Sequence, residues 1–487
     1  MLNLDEILLG IQPEGSRRKP QIPPAFRQIG FREVVIDSRE ATPGSLFVAL
    51  PGERVDGHDF LADAIARGAR AALVRRAKVA GLALNRPFTL VEPGSAAGLA
   101  DAPSDTVLLI TVDDALAALQ RLAAYHRGLF TPTVIGITGS VGKTSTKEVT
   151  AAVLGRRYRT LKNPRSYNNE ATLPITMLQL AADHEVAVLE MGTFGPGEIA
   201  LLAQLARPHI GIVTNVGPSH LERMGSLDTI AQAKSELVQA LPATGHAILN
   251  ADDARVRAMA AVTNAQPFFY GLDPTADLWA DEIESRGLEG ISFRAHYAGE
   301  SVVLHLPLLG RHSVHTALAA TATGLLLKLG WDAIIEGLRD ERAQLRLLAV
   351  PGVGGATLID DTYNASPSSS LAALNLLSEL DGRRIVVLGD MLELGSYEEE
   401  AHRLVGRRVA EIADLLIVIG QRAAWIADEA AAVGLPKDRI IQAASNEDVI
   451  EFLRDRLRPA EYVLVKGSRA AAMEEIVAAL QRQPAQH

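Results

Sequence analysis

Short runs of β-branched and aliphatic residues alternate along this chain with longer stretches that are rich in alanine and leucine. Apolar runs such as TVIGI and VAVLE are bounded by turn-forming residues, which is typical of buried strands. The Ala/Leu-rich stretches between them are typical of helices. This alternation predicts the α/β fold class, with parallel sheets that carry helices on their faces.

The predicted strands fall into three blocks. The first block holds EVVIDSRE, SLFVALPG and AALVRR, and a predicted helix between Asp113 and Phe130 follows it. The second holds TVIGI, VAVLE, IGIVT and HAILN, and then a less regular region around YGLDPTADLWADEIESRG. The third contains RIVVLGD, LLIVIG and YVLVKG. We therefore predict three domains, which span residues 1–110, 111–345 and 346–487.

Composition narrows the function classes. The net charge is −10 and there is no Lys/Arg tract, so we expect no nucleic-acid partner. The chain contains no cysteine, which excludes disulfides, thiolate metal sites and cysteine nucleophiles. Neither a signal-peptide pattern nor an apolar run of membrane-spanning length occurs. We expect a soluble cytoplasmic protein without membrane insertion.

Polar segments follow directly after five of the predicted strands. They are Thr138-Gly139-Ser140, Glu190-Met191-Gly192, Thr214-Asn215-Val216-Gly217, Asp390-Met391-Leu392-Glu393 and Lys466-Gly467-Ser468-Arg469. Each alone could be a simple turn. Ligands of open parallel sheets gather at the carboxyl ends of strands, so the repetition favours binding sites.

The stretch GITGSVGKTSTKE resembles a phosphate-binding loop with unusual spacing, because Ile137 stands where the usual P-loop pattern has a glycine. Its physical requirements are still met. A strand leads in, Gly139 and Gly142 allow the backbone to approach a phosphate, and a predicted helix begins at Thr144. Lys143 would neutralise phosphate charge, and the Thr144 hydroxyl would bind Mg²⁺.

Magnesium on a triphosphate requires further ligands. Glu190, at the end of the strand VAVLE, and His220, in NVGPSHLE, are candidates. Taken singly, a glutamate at a strand end can be a solvated edge residue, and a lone histidine is more often a packed or surface residue.

The order of the motifs resembles the Mur ligase family, ATP-dependent enzymes that form the amide bonds of the peptidoglycan peptide. GITGSVGKTS, YNNEATLPITML, VLEMG, TNVGPSHLERMGS, AQAKSE, ILNADD and GRHSVHTALAATA resemble its central domain. VVIDSREATPGSLFVALPGERVDGHDF resembles its UDP-sugar-binding domain. DDTYNASPSSSLAAL, VLGDMLELG and VLVKGSRAAAMEEIV resemble the carboxy-terminal domain of members that add D-alanyl-D-alanine.

The resemblance implies a small α/β UDP-binding domain, a central P-loop-type ATPase domain with a parallel sheet, and a C-terminal Rossmann-like α/β domain. It also implies a set of ATP-binding residues: Thr138, Gly139, Ser140, Val141, Gly142, Lys143, Thr144, Ser145, His312, Thr316, Arg346 and Asp361. Arg346 would reach the γ-phosphate, and Asp361 the ribose. The family usually has asparagine where Ser313 and Thr316 stand, so adenosine recognition differs in detail.

Two Mg²⁺ ions are implied in the same way. Thr144 and Glu190 would bind one, and His220 and Lys234 would help to bind the second. Lys234 matches a lysine that the family carries as a carbamate, which offers anionic oxygens where an ammonium cannot bind a cation. With Lys143 and Arg346, His220 and Lys234 form the implied catalytic set.

The implied small-molecule partners are ATP, D-alanyl-D-alanine and a UDP-N-acetylmuramoyl-tripeptide, bound by a monomer. Asp37, Ser38, Arg39, Asn168 and Asn169 would contact the UDP-linked substrate, and Tyr363, Asn364, Ser366, Lys466, Ser468 and Arg469 would line the dipeptide pocket. The implied activity is transfer of the ATP γ-phosphoryl group to a carboxylate, followed by attack of the amine. A diamino-acid-adding or folyl-polyglutamate type of ligase and a non-catalytic nucleotide-binding regulator remain alternatives.

Overall fold

The computed structural model describes residues 2–52, 55–82, 84–103, 105–343 and 347–482. They form two compact units. The first comprises Met1–Val134, Arg159–Met191 and Ala200–Pro208, and the second Ile135–Tyr158, Gly192–Ile199 and His209–His487. Arg346, the predicted γ-phosphate ligand, lies outside the described residues.

The elements of the amino-terminal part are short strands and three helices. The strands are β1 Leu2–Asn3, β2 Gly30–Phe31, β3 Val34–Val35, β4 Leu46–Val48, β5 Ala71–Arg75, β6 Phe88–Val91 and β7 Val107–Val112, and the helices are α1 Leu4–Gly10, α2 Leu61–Ala66 and α3 Ala115–Arg127. The predicted helix between Asp113 and Phe130 is thus confirmed as α3. Asp114 caps it by accepting a hydrogen bond from the Ala117 backbone N–H at 3.0 Å.

The middle of the chain contributes nine strands and eight helices among its described residues. The strands are β8 Thr133–Thr138, β9 Thr160–Lys162, β10 Val186–Glu190, β11 Ile210–Val213, β12 His246–Asn250, β13 Gln266–Gly271, β14 Leu278–Ser285, β15 Ile291–Tyr297 and β16 Glu300–Leu306. The helices are α4 Lys143–Leu154, α5 Thr172–Met177, α6 Glu198–Ala206, α7 Leu221–Met224, α8 Leu227–Gln239, α9 Ala254–Ala258, α10 Ser313–Leu326 and α11 Trp331–Leu338.

The carboxy-terminal part alternates strands with helices. Its strands are β17 Leu348–Pro351, β18 Thr357–Asp361, β19 Arg383–Gly389, β20 Leu415–Ile419, β21 Ile440–Ala443 and β22 Glu461–Lys466. Its helices are α12 Pro367–Ser378, α13 Glu398–Ile412, α14 Ala424–Ala432, α15 Asn446–Arg454 and α16 Glu474–Leu480.

The first unit contains a five-stranded parallel sheet in the order β3-β4-β5-β7-β6. One core of this unit is built from aliphatic and aromatic side chains such as Phe47, Ala72 and Leu109. Strands β9 and β10 pair in parallel in the same unit, with Val186 opposite Thr160. Strand β10 ends at Glu190, as the sequence predicts.

The second unit contains two sheets. In the first, β13, β12, β11 and β8 are neighbours and run parallel, and β14, β15 and β16 extend the sheet beyond β13. The pairs β14–β15 and β15–β16 are antiparallel, so the region predicted to be less regular forms part of the sheet, with a shift of register between Asp281 and Glu284. The second sheet has the order β17-β18-β22-β19-β20-β21, with an antiparallel pair only at the β17 edge.

Both sheets of the second unit bring predicted polar segments to their carboxyl edges, whereas the segment that begins at Glu190 follows β10 of the first unit. Val213 lies opposite Thr138 on neighbouring strands, so the segments after β8 and β11 start side by side. Asp361 lies opposite Lys466 on β18 and β22. The α/β fold class with several parallel sheets is confirmed. Among the described residues, none of the helices is long and apolar enough to cross a bilayer.

Candidate functional site

The loop between β8 and α4 is held in place by the segment after β11. The Ser140 backbone N–H donates to the Asn215 carbonyl oxygen, and the Val141 N–H donates to Asn215 Oδ1, both at 2.9 Å. Ser140 Oγ donates to the Gly217 carbonyl oxygen at 2.9 Å and accepts from the Gly217 N–H at 2.8 Å. These bonds fix the loop backbone before any ligand arrives.

Two glycines in this loop have backbone conformations that other residues rarely adopt. Gly139 has φ +148°, and a Cβ built there would lie 1.9 Å from Thr214 Oγ1. Gly142 has φ +84° and directly precedes the first turn of α4. The glycine at position 139 therefore has a structural cause, because the loop packs there against Thr214, directly after β11.

The cation of the loop lies over its carbonyl groups. Lys143 Nζ donates to the carbonyl oxygen of Gly139 at 2.7 Å and to that of Ser140 at 3.1 Å. Thr144 and Ser145 are part-exposed in the first turn of α4, where helix amides favour anions. Thr138 is fully buried at the end of β8. The arrangement suits a polyphosphate, with Lys143 as its counter-charge.

Glu190 is a buried carboxylate in the first unit, with 1% of its surface exposed. Asn163 accepts a hydrogen bond from the Glu190 backbone N–H at 2.9 Å. Asn168 Nδ2 donates to Glu190 Oε1 at 2.7 Å. Glu190 Oε2, in contrast, is buried and has no hydrogen-bond partner among the described residues. Such an oxygen is suited to a cation.

Lys234 lies on α8 and is 2% exposed. Burial, together with the nearby charge of Lys143, holds the pKa of the Lys234 ammonium well below its usual value. A larger fraction of this lysine is therefore the neutral amine than for a surface lysine. Neutral amine is the form that reacts with CO₂ to give a carbamate.

His220 contacts a residue from the loop after β19 of the carboxy-terminal sheet. Its Nδ1 is hydrogen-bonded to Glu393 Oε2, and this bond is the largest cause that lowers the pKa of the Glu393 carboxyl. The ring also lies edge-on to Phe194, with 4.7 Å between centroids. The sequence predicts His220 as a metal ligand but does not predict Glu393 as its partner.

The predicted nucleotide residues of α10 lie at its amino-terminal end. His312 is exposed, and Thr316 is part-buried one turn further along. His315, between them, pairs with Asp252 through Nε2 and Oδ2 at 2.7 Å. Sequence reasoning missed this pair, although both residues lie in motifs that it identified, GRHSVHT and ILNADD.

Lys466 is 1% exposed, and its Nζ is engaged at two points. It donates to Asp361 Oδ2 at 2.6 Å and to the Asn364 carbonyl oxygen at 2.8 Å. Lys466 thus holds the predicted ribose ligand Asp361 at the end of β18 and the predicted dipeptide residue Asn364 in the loop after it. Its position suits support of that loop better than direct contact with a substrate.

The other predicted dipeptide residues occupy neighbouring loops. The Arg469 guanidinium lies over the Tyr363 ring, 5.4 Å from its centroid. Ser366 caps α12 in a reciprocal pair with Ser369. Ser468 Oγ accepts a hydrogen bond from the Leu392 backbone N–H at 3.1 Å. The side chains of Ser366 and Ser468 are therefore engaged in loop structure.

The predicted residues for the UDP-linked substrate all lie in the first unit. Asp37 accepts a hydrogen bond from the Arg39 backbone N–H at 2.9 Å and forms an ion pair with the exposed Arg39 guanidinium at 2.6 Å. Ser38, the residue between them, is buried. The Tyr167 hydroxyl donates to Glu40 Oε1 at 3.2 Å, which links the DSR segment to the YNNE segment. Asn169 Oδ1 accepts from the Thr172 N–H at 2.9 Å and so supports α5.

Comparison with known proteins gives a consistent result. Residues 31–127 match the description "Mur ligase family, catalytic domain", residues 137–324 "Mur ligase middle domain", and residues 345–469 "Mur ligase, glutamate ligase domain". The UDP-N-acetylmuramoyl-tripeptide--D-alanyl-D-alanine ligase of Bacillus subtilis is 34% identical over 95% of both chains. That of Escherichia coli is 37% identical over 92% of this chain and 93% of its own.

Solved structures agree. A crystal structure of MurF from Acinetobacter baumannii superposes with a TM-score of 0.79 at 30% identity and covers 98% of both chains. The MurF ligase from Thermotoga maritima in complex with ADP gives a TM-score of 0.74 at 27% identity and covers 93% of this chain and 97% of its own.

We expect Gly139→Ala to weaken nucleotide binding by more than about tenfold. A methyl group would collide with Thr214, and the unusual backbone angle adds strain of about 1–3 kcal/mol. Calorimetric titration with ADP measures the effect. Gly330→Ala is the matched control, because a Cβ there meets no atom within 4 Å. Equal ADP affinity for Gly139→Ala and the unchanged protein would show that the loop tolerates the methyl group.

Lys466→Met should destabilise the carboxy-terminal sheet, because it leaves the largely buried carboxylate of Asp361 without its lysine. Loss of one member of a buried ion pair typically costs about 3–5 kcal/mol. Urea denaturation of the variant, compared with the exposed-site control Lys437→Met, measures this cost. A midpoint that matches the control would contradict the structural role of Lys466.

Proposed function

We propose that this chain, which belongs to the Mur ligase family, joins D-alanyl-D-alanine to the terminal carboxylate of a UDP-N-acetylmuramoyl-tripeptide and consumes ATP. The observation that carries this conclusion is near full-length similarity, at 34–37% identity, to ligases of that name. The chain is thus an ATP-dependent, ADP-forming peptide ligase of peptidoglycan synthesis. The ADP complex of the Thermotoga maritima relative agrees with this use of the nucleotide.

The chemistry explains why a nucleotide is needed. A carboxylate is a poor electrophile, because expulsion of its oxygen as oxide is unfavourable. Transfer of the γ-phosphoryl group of ATP to the carboxylate would give an acyl phosphate, with ADP as the first product. The amine of D-alanyl-D-alanine would then attack the carbonyl carbon, and the tetrahedral intermediate would collapse with release of inorganic phosphate. No protein nucleophile is required.

The chain's own contribution to the first step is to position and neutralise two anions that repel each other. The amides of the loop between β8 and α4 would cradle the phosphates. Lys143 would exchange its bonds to the Gly139 and Ser140 carbonyl groups for bonds to phosphate oxygens. Such preorganised donors stabilise developing charge without reorganisation at the moment of reaction.

Two magnesium ions are part of this proposal, and the family resemblance assigns Thr144 and Glu190 to one of them. Glu190 offers a buried oxygen that has no hydrogen-bond partner among the described residues, and Thr144 offers a hydroxyl at the start of α4. No group of three His, Cys, Asp or Glu side chains in the described residues could hold a metal alone. The family resemblance assigns the second ion to His220 and to a carbamate at Lys234. Bound Mg²⁺ would offset the negative charge of the transferred phosphoryl group.

The amine would bind at the loops after β18 and β22. Asn364 has an exposed side chain, and Tyr363 stacks with Arg469, so these side chains could contact the dipeptide. Lys466 and Ser468 would support these loops without contacting the dipeptide, because both residues are buried and hydrogen-bonded to the loops. Three ligands also require positioning before reaction, which favours closure of the chain around them.

The direct test is to incubate the purified protein with ATP, Mg²⁺, the UDP-linked tripeptide and D-alanyl-D-alanine, and to measure the product mass. We expect the UDP-linked pentapeptide and one ADP per product. A parallel screen with diamino acids and with glutamate separates this activity from those of other ligases in the family. ADP release that depends on one of those amines instead of the dipeptide would overturn the proposal.

Two substitutions separate phosphate chemistry from amine binding. Lys143→Ala should abolish release of inorganic phosphate. Asn364→Ala should chiefly raise the KM for D-alanyl-D-alanine, because it leaves intact the backbone carbonyl that binds Lys466. A coupled phosphate assay measures both. Turnover of Lys143→Ala at the rate of the unchanged protein would remove the proposed phosphate site.

Lys234→Arg should lower turnover on the order of 100-fold, because an arginine stays cationic and forms no carbamate. The low pKa of Lys234 should allow the unchanged protein to form the carbamate at neutral pH. With ¹³C-bicarbonate we expect a carbamate signal in the NMR spectrum that is missing from Lys234→Arg. The same signal in both proteins would place the carbamate elsewhere or exclude it at Lys234.

A further inference from the structure

His220 and Glu393 face each other from two motifs that are far apart in sequence, TNVGPSHLE and GDMLELG. Their side chains meet through His220 Nδ1 and Glu393 Oε2. Both residues also have left-handed backbones, with φ +56° and φ +66°. That conformation is uncommon for residues other than glycine and persists where the surrounding structure enforces it. The coincidence of two such residues in one contact suggests that the contact has a function.

The backbone around the pair is closely fitted. The Glu222 N–H donates to the Glu393 carbonyl oxygen at 3.3 Å. A Cβ built on Gly395, which has φ +56°, would lie 3.0 Å from Glu222 Cα, so the glycine allows this close approach. On the other side, Phe194 lies edge-on to the His220 ring, and the Arg223 guanidinium lies 5.2 Å from the Phe194 centroid. The imidazole is therefore held on two sides.

The loop that carries Glu393 is itself anchored in the carboxy-terminal sheet. His402 Nε2 accepts a hydrogen bond from the Met391 N–H at 3.0 Å, and Ser468 Oγ accepts from the Leu392 N–H at 3.1 Å. Asp390 Oδ1 accepts from the Ala423 N–H at 2.7 Å. The three residues before Glu393 are thus held by hydrogen bonds. The position of Glu393 next to His220 therefore depends on the position of the carboxy-terminal sheet.

We propose that Glu393 is a positioning residue that orients His220 as a metal ligand. A carboxylate that accepts a hydrogen bond from Nδ1 keeps the proton on that nitrogen and leaves the lone pair of the neutral ring on Nε2. Metal binding by His220 then depends on contact with the part of the chain that would bind the amine. This inference rests on the proposed function, and specifically on the metal-binding role of His220.

The dependence has a chemical advantage. An acyl phosphate formed before the amine is in place can be lost to water. When the carboxy-terminal sheet is docked, Glu393 aligns His220, and the full charge-neutralising set is assembled beside the incoming amine. Glu393 thereby couples activation of the acid to the presence of its acceptor.

The test measures Mn²⁺ binding by electron paramagnetic resonance, in the presence of a non-hydrolysable ATP analogue and without peptide substrates. The variants are Glu393→Ala and Glu393→Met, which remove the acceptor, and Glu393→Gln, which keeps an oxygen that can accept from Nδ1. His220→Ala is the reference for loss of the ligand. Glu222→Gln is the matched control, because it removes a neighbouring exposed negative charge and leaves the His220 contact intact.

We expect Glu393→Ala and Glu393→Met to weaken Mn²⁺ binding at the His220 site about tenfold or more, as we also expect for His220→Ala. Glu393→Gln should recover part of that loss, and Glu222→Gln should bind Mn²⁺ like the unchanged protein. The Glu393 carboxylate is 45% exposed, so these variants should fold. Thermal melting checks this, and two replacements of different size guard against a misfolded variant.

The outcomes test the positioning role of Glu393 separately from the metal-binding role of His220. If His220→Ala weakens Mn²⁺ binding and both Glu393→Ala and Glu393→Met do not, the positioning role of Glu393 is wrong and the proposed metal site stands. If His220→Ala itself binds Mn²⁺ normally, the metal role of His220 is wrong and the Glu393 proposal falls with it. Ligase activity measured on the same samples shows separately whether the proposed reaction occurs.

Discussion

The close approach of Gly139 to Thr214 is the constraint on which the rest of the site depends. A backbone can cradle a triphosphate only if its amides face the ligand, and here the loop reaches that shape by packing directly against the end of a neighbouring strand. The contact leaves no room for a side chain at residue 139. The turn at Gly142 then starts α4 at Lys143, and this places the lysine over the loop.

Each of the two units buries a charged side chain that a purely structural protein would avoid. Glu190 is buried with one carboxylate oxygen that has no partner among the described residues, and Lys234 is a buried lysine whose pKa is pushed down. Burial of isolated charges is costly, so such groups indicate cations and modifications that would satisfy them. Lys466 differs, because its charge is matched by Asp361 on the neighbouring strand and it also holds the loop that follows Asp361.

Local pattern was sufficient to predict much of this. The apolar run before the phosphate loop is a strand, and so are the runs that end at Glu190 and at Lys466. Helix α3 lies within its predicted range. The antiparallel extension β14 to β16 was missed, because its strands are half polar and alternate instead of forming apolar runs. In each of the pairs His220–Glu393 and Lys466–Asp361, the two residues are more than 100 positions apart in sequence. The second pair forms because β18 and β22 are neighbours in the sheet. No local pattern encodes such pairings. The roles of Asn364, Tyr363 and Arg469 remain predictions.

The central claim is that a carboxylate accepts a phosphoryl group before the amine attacks it. The most direct measurement labels the terminal carboxylate of the UDP-linked tripeptide with oxygen-18 and follows the label during turnover with D-alanyl-D-alanine. The account predicts one labelled oxygen in each molecule of inorganic phosphate released. Phosphate that carries no label while the pentapeptide forms would contradict it.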